Sequence, residues 1–352
     1  MLRYPLLTVA AVVLAGCRGR AVELKPETNA AFNHYVQLSE QRMQRDLQSE
    51  SFLSISIDGV PLQPRELLFD RLKRGEVLTQ RLETLERGSR VPVPGGLIHH
   101  WRGVVFVPGA NLNQTLALLQ DYDRHSRIYA PRVLGSKLIQ HNGDDFKFFL
   151  RLSETKIVTV VLDTEYDVHY LRLDSTKACS RSYSTKVAEV ESPGLPGEHE
   201  KPSGGDSGFL WRLNSYWRFW EHDGGVYIQM EAVSLTRDIP DGIGWLIRPF
   251  VTSIPRESLV FTLSRTRSAL GEIRPDEIQR SMDPVESGTG SRGYSQGGRL
   301  INGADSLGLL GIPKMDRETG DLRNRVRALP HCWGRRALLE SKQGLFRLIP
   351  HA

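Results

Sequence analysis

Several short stretches of this chain have the residue types of working chemistry, and most lose that reading once spacing is considered. Gly205-Asp206-Ser207-Gly208 matches the nucleophile motif of chymotrypsin-like proteases, but no second glycine follows and no matching histidine motif stands upstream. Gly288-Thr289-Gly290-Ser291-Arg292-Gly293 fits a dinucleotide-binding pattern letter by letter. Those glycines grip a phosphate only between a strand and a helix, and this Gly/Ser-rich run offers neither. His99 and His100 are adjacent on an extended segment and so point to opposite faces, which prevents a paired metal site. His141, His169 and His222 are single histidines on separate strands and read as surface or hydrogen-bonded core residues. The cysteines at 17, 179 and 332 make no CxxC pair for zinc. The expectation is no catalytic group, no metal and no cofactor.

Glu231 lies between apolar residues of a late strand. It and Arg218 stand equally far from Gly224-Gly225, so a hairpin centred there sets them roughly opposite. A carboxylate inside an apolar pocket needs such a partner. Outside one, the two form an exposed cross-strand ion pair worth less than about 1 kcal/mol, which is the simpler reading.

The segments that must position these groups begin with a leader, residues 1–20. Arg3 is followed by the apolar run Tyr4–Leu14, too short for the roughly 20 residues of a membrane span. Leu14-Ala15-Gly16-Cys17 resembles the lipobox of bacterial lipoproteins, which implies acylation of Cys17, membrane anchoring and an address at the bacterial cell envelope. The alternative is an ordinary cleaved signal peptide. Cys179 and Cys332 could pair in an oxidising compartment, though nothing in the sequence argues that they do.

Residues 21–95 read as an N-terminal addition: a helix from Pro26 to Gln48, a strand over 51–60, and a second helix from Pro64 to Leu85 with a break near Gly75. The hinge-like Val91–Gly96 follows. Residues 96–272 hold a strand over 97–107, a helix capped by Asn111 or Asn113, and an irregular turn from His125 to Pro131. Strands follow over 133–141, 145–152, 157–173 and 178–191, with a tight turn at Asn142-Gly143. After a loop over 192–208, strands 209–222 and 226–237 meet at Asp223-Gly224-Gly225. Gly244–Leu270 is a long amphipathic helix with Leu246, Phe250, Val251, Ile254 and Phe261 near one face, placed to kink at Pro255. Residues 273–352 read as a low-complexity or weakly folded tail.

Composition is that of an ordinary globular protein, 39% hydrophobic and 25% charged. The net charge of +5 is local: from Arg323 onward lie seven of the 46 basic residues and one of the 41 acidic ones. A nucleic-acid partner would need a basic stripe on the folded part, so none is expected. The densest aromatic cluster is Trp211, Tyr216, Trp217, Phe219 and Trp220. Alternation gives Trp211, Trp217 and Phe219 one face and Tyr216 and Trp220 the other, so this strand needs two apolar partners, the long helix and the N-terminal addition.

This order of elements, with Asp121-Tyr122 and Ile128-Tyr129-Ala130-Pro131 leading into Val133-Leu134-Gly135-Ser136, resembles the START-like (SRPBCC, helix-grip) superfamily, nearest its polyketide cyclase and coenzyme Q-binding branch. The resemblance spans about Gly96–Leu270. It implies an α+β fold in which a curved antiparallel sheet grips a C-terminal helix around a cavity for a lipid or other hydrophobic molecule. Tyr129, Trp217 and Phe219 would wall that cavity from the sheet side, and Trp245, Phe250 and Ile254 from the helix, with Glu231 as a polar group. The implied function is binding or transport of such a molecule. The alternatives are a cyclase/aromatase-type enzyme using the same cavity, or a scaffold with a filled core.

Overall fold

The computed structural model describes residues 23–48, 52–54, 64–155, 159–202, 204–238 and 244–272. The leader with Cys17, most of the strand expected over 51–60, the run 288–293 and the tail from 273 lie outside the described residues. Two helices, α1 (Pro26–Gln48) and α2 (Arg65–Lys73), precede β1 (Leu78–Arg81), the small hairpin β2 (Leu85–Glu86) and β3 (Ser89–Arg90), and the long β4 (Gly96–Pro108). Next come α3 (Leu112–Gln120), α4 (His125–Ile128), and the strands β5 (Val133–Asn142), β6 (Asp145–Thr155), β7 (Thr159–Arg172) and β8 (Lys177–Glu191). The two-residue β9 (His199–Glu200), β10 (Arg212–His222), β11 (Gly225–Arg237) and α5 (Gly244–Glu272) complete the order.

Turn chemistry explains much of this. Asp223 and Gly224, both at positive φ, form the two-residue turn that suits the twist of β10 and β11. Asn111 caps α3 through the backbone N–H of Gln114, whose side chain reaches back to the Asn111 N–H. The expected helix over 64–85 stops at Lys73. Gly75, at φ +95°, ends it in the left-handed region, and Leu78–Arg81 then pairs with the free edge of β4.

The large sheet is antiparallel, in the order β1-β4-β11-β10-β8-β7-β6-β5, with β9 attached to β8. Its first long strand is paired with its last, from Gly96 opposite Arg237 to Pro108 opposite Gly225. The chain therefore leaves β11 beside β4, and α5 lies back across that pair. Leu259, Leu263, Thr266 and Leu270, at helical spacing, are its buried stripe. They pack among Val105, Val107, Phe219 and Ile228. Phe261, expected on that face, is half-buried with Arg132 over its ring, and the helix runs on through Pro255.

The other face of the sheet is also covered. Phe32, Tyr35, Val36 and Met43 of α1 pack on Cys179, Tyr216, Val233 and Leu235. Phe52, Leu53 and α2's Leu68 and Leu72 pack on Val104, Phe106 and Tyr227. Each large apolar side chain buried here contributes roughly 1.5–3 kcal/mol. The N-terminal addition is thus a second cover for the sheet. β10 has the two apolar partners its aromatics require, with one correction. Trp211 precedes the strand and joins Tyr216 on the α1 face, because alternation governs residues only within the ladder.

Gly103 of β4 sets how closely α5 approaches. A Cβ there would stand 2.6 Å from Leu263 Cδ1 and 3.1 Å from Leu259 Cδ2. Gly103→Val should therefore destabilise the fold by roughly 1–3 kcal/mol, as overpacking does, and urea denaturation will measure it. An unchanged midpoint would show that the helix moves away without cost.

Candidate functional site

The register fixes which side chains share the α5 face. Trp217 of β10 stands opposite Met230 of β11, which stands opposite Gly103; the next row is Phe219, Ile228 and Val105. On its other side Trp217 faces Ser180 of β8, which faces Tyr170 of β7. Ser215, Ser182 and Val168 form the row beyond. β8 thus presents Ala178, Ser180, Ser182 and Ser184, a stripe of small side chains between two bulky rows. These small residues make the middle of the sheet low on the α5 side, and Ala178, Ser180 and Ser182 are buried there.

Aromatic rings stand on either side of this stripe. Trp217 and Phe219 stack with centroids 6.1 Å apart. Tyr122 stacks on Phe148 at 4.1 Å and Phe148 on Tyr166 at 5.0 Å. Trp101, Leu150, Leu213, Trp217 and Met230 pack against this core yet remain half-buried. Among the residues of α5 whose side chains are described, 253–258, Ile254 among them, are half-buried or exposed and Leu259 is buried.

The buried tyrosines and histidine under α5 are uncharged at pH 7, while Arg132, Glu154 and Arg265 lie half-buried along the helix. Burial pushes Tyr129 and Tyr166 up to about 12, and raises Tyr122 and Tyr170 as well. Burial lowers His125 to about 4, leaving its imidazole uncharged, with Nε2 3.2 Å from the Leu119 carbonyl. Tyr129 is buried, and its hydroxyl donates to Thr266 Oγ1 of α5 at 2.9 Å, since that threonine's own proton goes to the Thr262 carbonyl. It ties the α4–β5 corner to the helix.

The α1 face carries the charge. Glu231, 2% exposed, receives Arg102 Nε at 3.1 Å and His100 Nε2 at 2.7 Å, and also pairs with Arg42 of α1. Burial alone would raise its pKa, but Arg102, His100 and Arg42 outweigh burial and hold it well below the usual carboxylate range. The Tyr35 hydroxyl accepts from the Thr84 N–H and so donates to His100 Nδ1, which assigns His100 as the neutral Nε2–H tautomer. Arg218 donates to the carbonyls of Met43 and Phe52, and Gln229 accepts from the Ser54 N–H. Tyr183 and Tyr216 donate to Glu40 of α1. These bonds fix the N-terminal addition in one register on the sheet.

Of the residues expected to line a pocket, Trp217 and Phe219 come together on the α5 face, with Ile254 on the helix and Tyr129 at its corner. Trp245 and Phe250 belong to the first turns of α5, where side chains lie outside the described residues. Glu231 does not join them. It is opposite Tyr216, on the α1 face, and Arg218 is opposite Gln229. The two-residue turn is Asp223-Gly224, which moves the register by two residues from a hairpin centred on Gly224-Gly225. Nor is Glu231 in an exposed ion pair, because α1 buries it. Sequence reasoning missed Ser180, Ser182, Trp101, Leu213 and Met230, although the small residues alternating through 178–184 were a readable sign of a low inner face.

The protease-like 205–208 motif pins a loop. Asp206 Oδ1 accepts from the Gly208 N–H and from Trp211 Nε1, and Ser207 donates through N and Oγ to Glu189. Among the described residues no His, Cys, Asp or Glu cluster could hold a metal ion.

No protein-family model matches the chain, and no curated protein does. Among solved structures it is similar to a STAR-related lipid transfer protein fragment from Xanthomonas axonopodis, at 18% identity over 55% of this chain and 98% of that one, with a TM-score of 0.36. It is similar to a human lipid transfer and protein localization domain at 8% identity, over 68% and 98% of the two chains, with a TM-score of 0.37. A Streptomyces aromatase/cyclase matches at 12% identity, over 49% and 94%, with a TM-score of 0.33.

Two measurements check this electrostatic layout. Glu231→Gln leaves the buried Arg102 without its counter-charge and takes one of Arg42's two carboxylates, the other being Asp46 at 3.0 Å, and should cost roughly 3–5 kcal/mol in urea denaturation; a cost below about 1 kcal/mol would mean water reaches the cluster. Burial lowers both His99 and His125 to about 4. The folded chain then stays neutral while the unfolded chain takes up protons. Stability is full above about pH 6.5, declines from there to about pH 4 and levels off below, by up to roughly 3 kcal/mol per histidine. His125→Phe should shrink that slope in thermal melts across the same window.

Proposed function

We propose that this protein binds one lipid or other hydrophobic small molecule between the sheet and α5, and that it does so at the bacterial cell envelope, anchored through acylated Cys17. The observation that carries the binding reading is the contrast between the faces. One is closed by α1, α2 and buried ion pairs. The other buries only uncharged tyrosines and imidazoles, and is lined by aromatic and aliphatic side chains around small serines, with Trp101, Trp217 and Met230 half-buried beside α5. Such a surface favours a ligand by apolar burial, about 25 cal/mol per Å², and offers it few groups to orient by. Its tyrosines and His125 hold their neutral forms far from pH 7, which suits a receptor better than proton-transfer chemistry. The helix-grip resemblance of the sequence supports the same reading. The lipobox at 14–17 supports the anchor.

Native mass spectrometry of the full-length chain, with solvent extraction of what co-purifies, tests the binding. We expect one hydrophobic molecule per chain. A clean unliganded mass, with no uptake from a phospholipid and isoprenoid mixture, would turn the assignment to a packed interaction domain. Trp217→Ala should lower affinity at least tenfold, the scale of a buried aromatic anchor, whereas Glu231→Gln should leave the stoichiometry of the folded fraction unchanged. For the anchor, Cys17→Ala should move the protein from the membrane to the soluble fraction.

A further inference from the structure

Four tyrosines are buried on the α5 side, and three of their hydroxyls are paired. Tyr122 and Tyr170 meet at 3.0 Å, Tyr170 also reaches the Leu119 carbonyl, and Tyr129 donates to Thr266. Tyr166 of β7 differs: it is 4% exposed, and its hydroxyl finds no hydrogen-bond partner. The two hydroxyls nearest it by register are engaged elsewhere. Thr164, next on the same face, donates to the Leu150 carbonyl at 2.8 Å, and Ser184, directly opposite, accepts from the Leu213 N–H at 2.9 Å. A buried donor without an acceptor is costly, and such groups are rare in native proteins. We propose that the ligand under α5 is a neutral lipid bearing a carbonyl, ester or hydroxyl oxygen, and that the Tyr166 hydroxyl donates the hydrogen bond that selects it.

This specificity rests on the binding reading above and narrows it by the chemistry around the ring. Burial pushes the Tyr166 phenol up to about 12, so at neutral pH it keeps its proton and acts as a donor. Its partner must therefore carry an acceptor, which a plain hydrocarbon lacks. The acceptor must also be uncharged. In the row of Tyr166 and the rows on either side, β6 contributes Phe146, Phe148 and Leu150, and β8 contributes Ser182, Ser184 and Val187. None of these offers a cation, so a carboxylate or phosphate brought among them would be buried without a counter-charge. The row of Trp217 lies two rows along β8, at Ser180. A ligand with its oxygen at Tyr166 can thus lay its apolar body toward the Trp217 and Phe219 rings.

Three probes of one chain length separate these terms: methyl dodecanoate, dodecane and dodecanoate, each titrated into the full-length protein and into Tyr166→Phe. The unaltered protein should bind the ester about tenfold more tightly than the alkane or the carboxylate. Tyr166→Phe should weaken the ester by about five- to tenfold, the scale of one hydrogen bond, and leave dodecane unchanged. Without ligand, Tyr166→Phe should melt no lower than the parent, because it removes a donor that has no partner. A lower melting temperature would show the hydroxyl already paired within the fold, with Thr164 the nearest candidate, and would overturn the proposal. So would an ester affinity that is the same in both proteins, or dodecanoate binding most tightly. Each of those outcomes leaves the binding reading standing. Failure of all three probes and of the phospholipid and isoprenoid mixture to bind either protein would overturn both.

Discussion

Everything in this fold depends on β4 burying both of its faces. Trp101, Gly103, Val105 and Val107 meet α5, while His100, Arg102, Val104 and Phe106 meet α1 and α2. A strand normally alternates between core and water. Here it alternates between two interiors, and pairing with β11 gives the neighbouring strand the same demand. Most of the architecture then follows. α5 must return over β4 because β11 ends beside it, and the N-terminal helices must cover the outer side because its side chains are too apolar to face solvent.

The two interiors solve burial differently. Under α5 the fully buried polar groups are hydroxyls and the uncharged imidazoles of His99 and His125, so little is lost when a ligand or helix excludes water. Under α1 full charges are buried, and each must find a counter-charge or a carbonyl. Such a network adds little net stability over an apolar packing of the same volume. Its geometry is demanding, however: Glu231 is satisfied only when Arg42 of α1 and Arg102 and His100 of β4 converge on it. The outer cover is thereby held in one position on the sheet.

Most strands and helices were legible in the sequence because their boundaries are set by local chemistry: Asn142-Gly143, Asp223-Gly224 and the Asn111 cap. What was not legible was of longer range. Leu78–Arg81 reads as a continuation of a helix until the open edge of β4 is known. Alternation correctly put Trp217 and Phe219 together, but could not say that Glu231 belongs to the other side, since a turn displaced by one residue shifts the register by two. Its partners Arg42 and His100 are separated from it by more than a hundred residues and left no pattern to find. The serines of β8 were visible as an alternating run of small residues, yet their meaning depends on the rings beside them.

The placement of the tryptophans has an optical consequence. Trp101 and Trp217 pack on the α5 side, whereas Trp211 and Trp220 belong to the outer side with α1 and α2. Trp220 stacks on the exposed His222 ring with centroids 4.4 Å apart. Trp211 is held by Asp206 in a fixed polar contact. Of the four tryptophans whose side chains are described, two therefore lie on the α5 side and two on the outer side. Lipophilic quenchers that enter under α5 address the first pair, which lets the inner side be followed apart from the outer cover without attaching a dye.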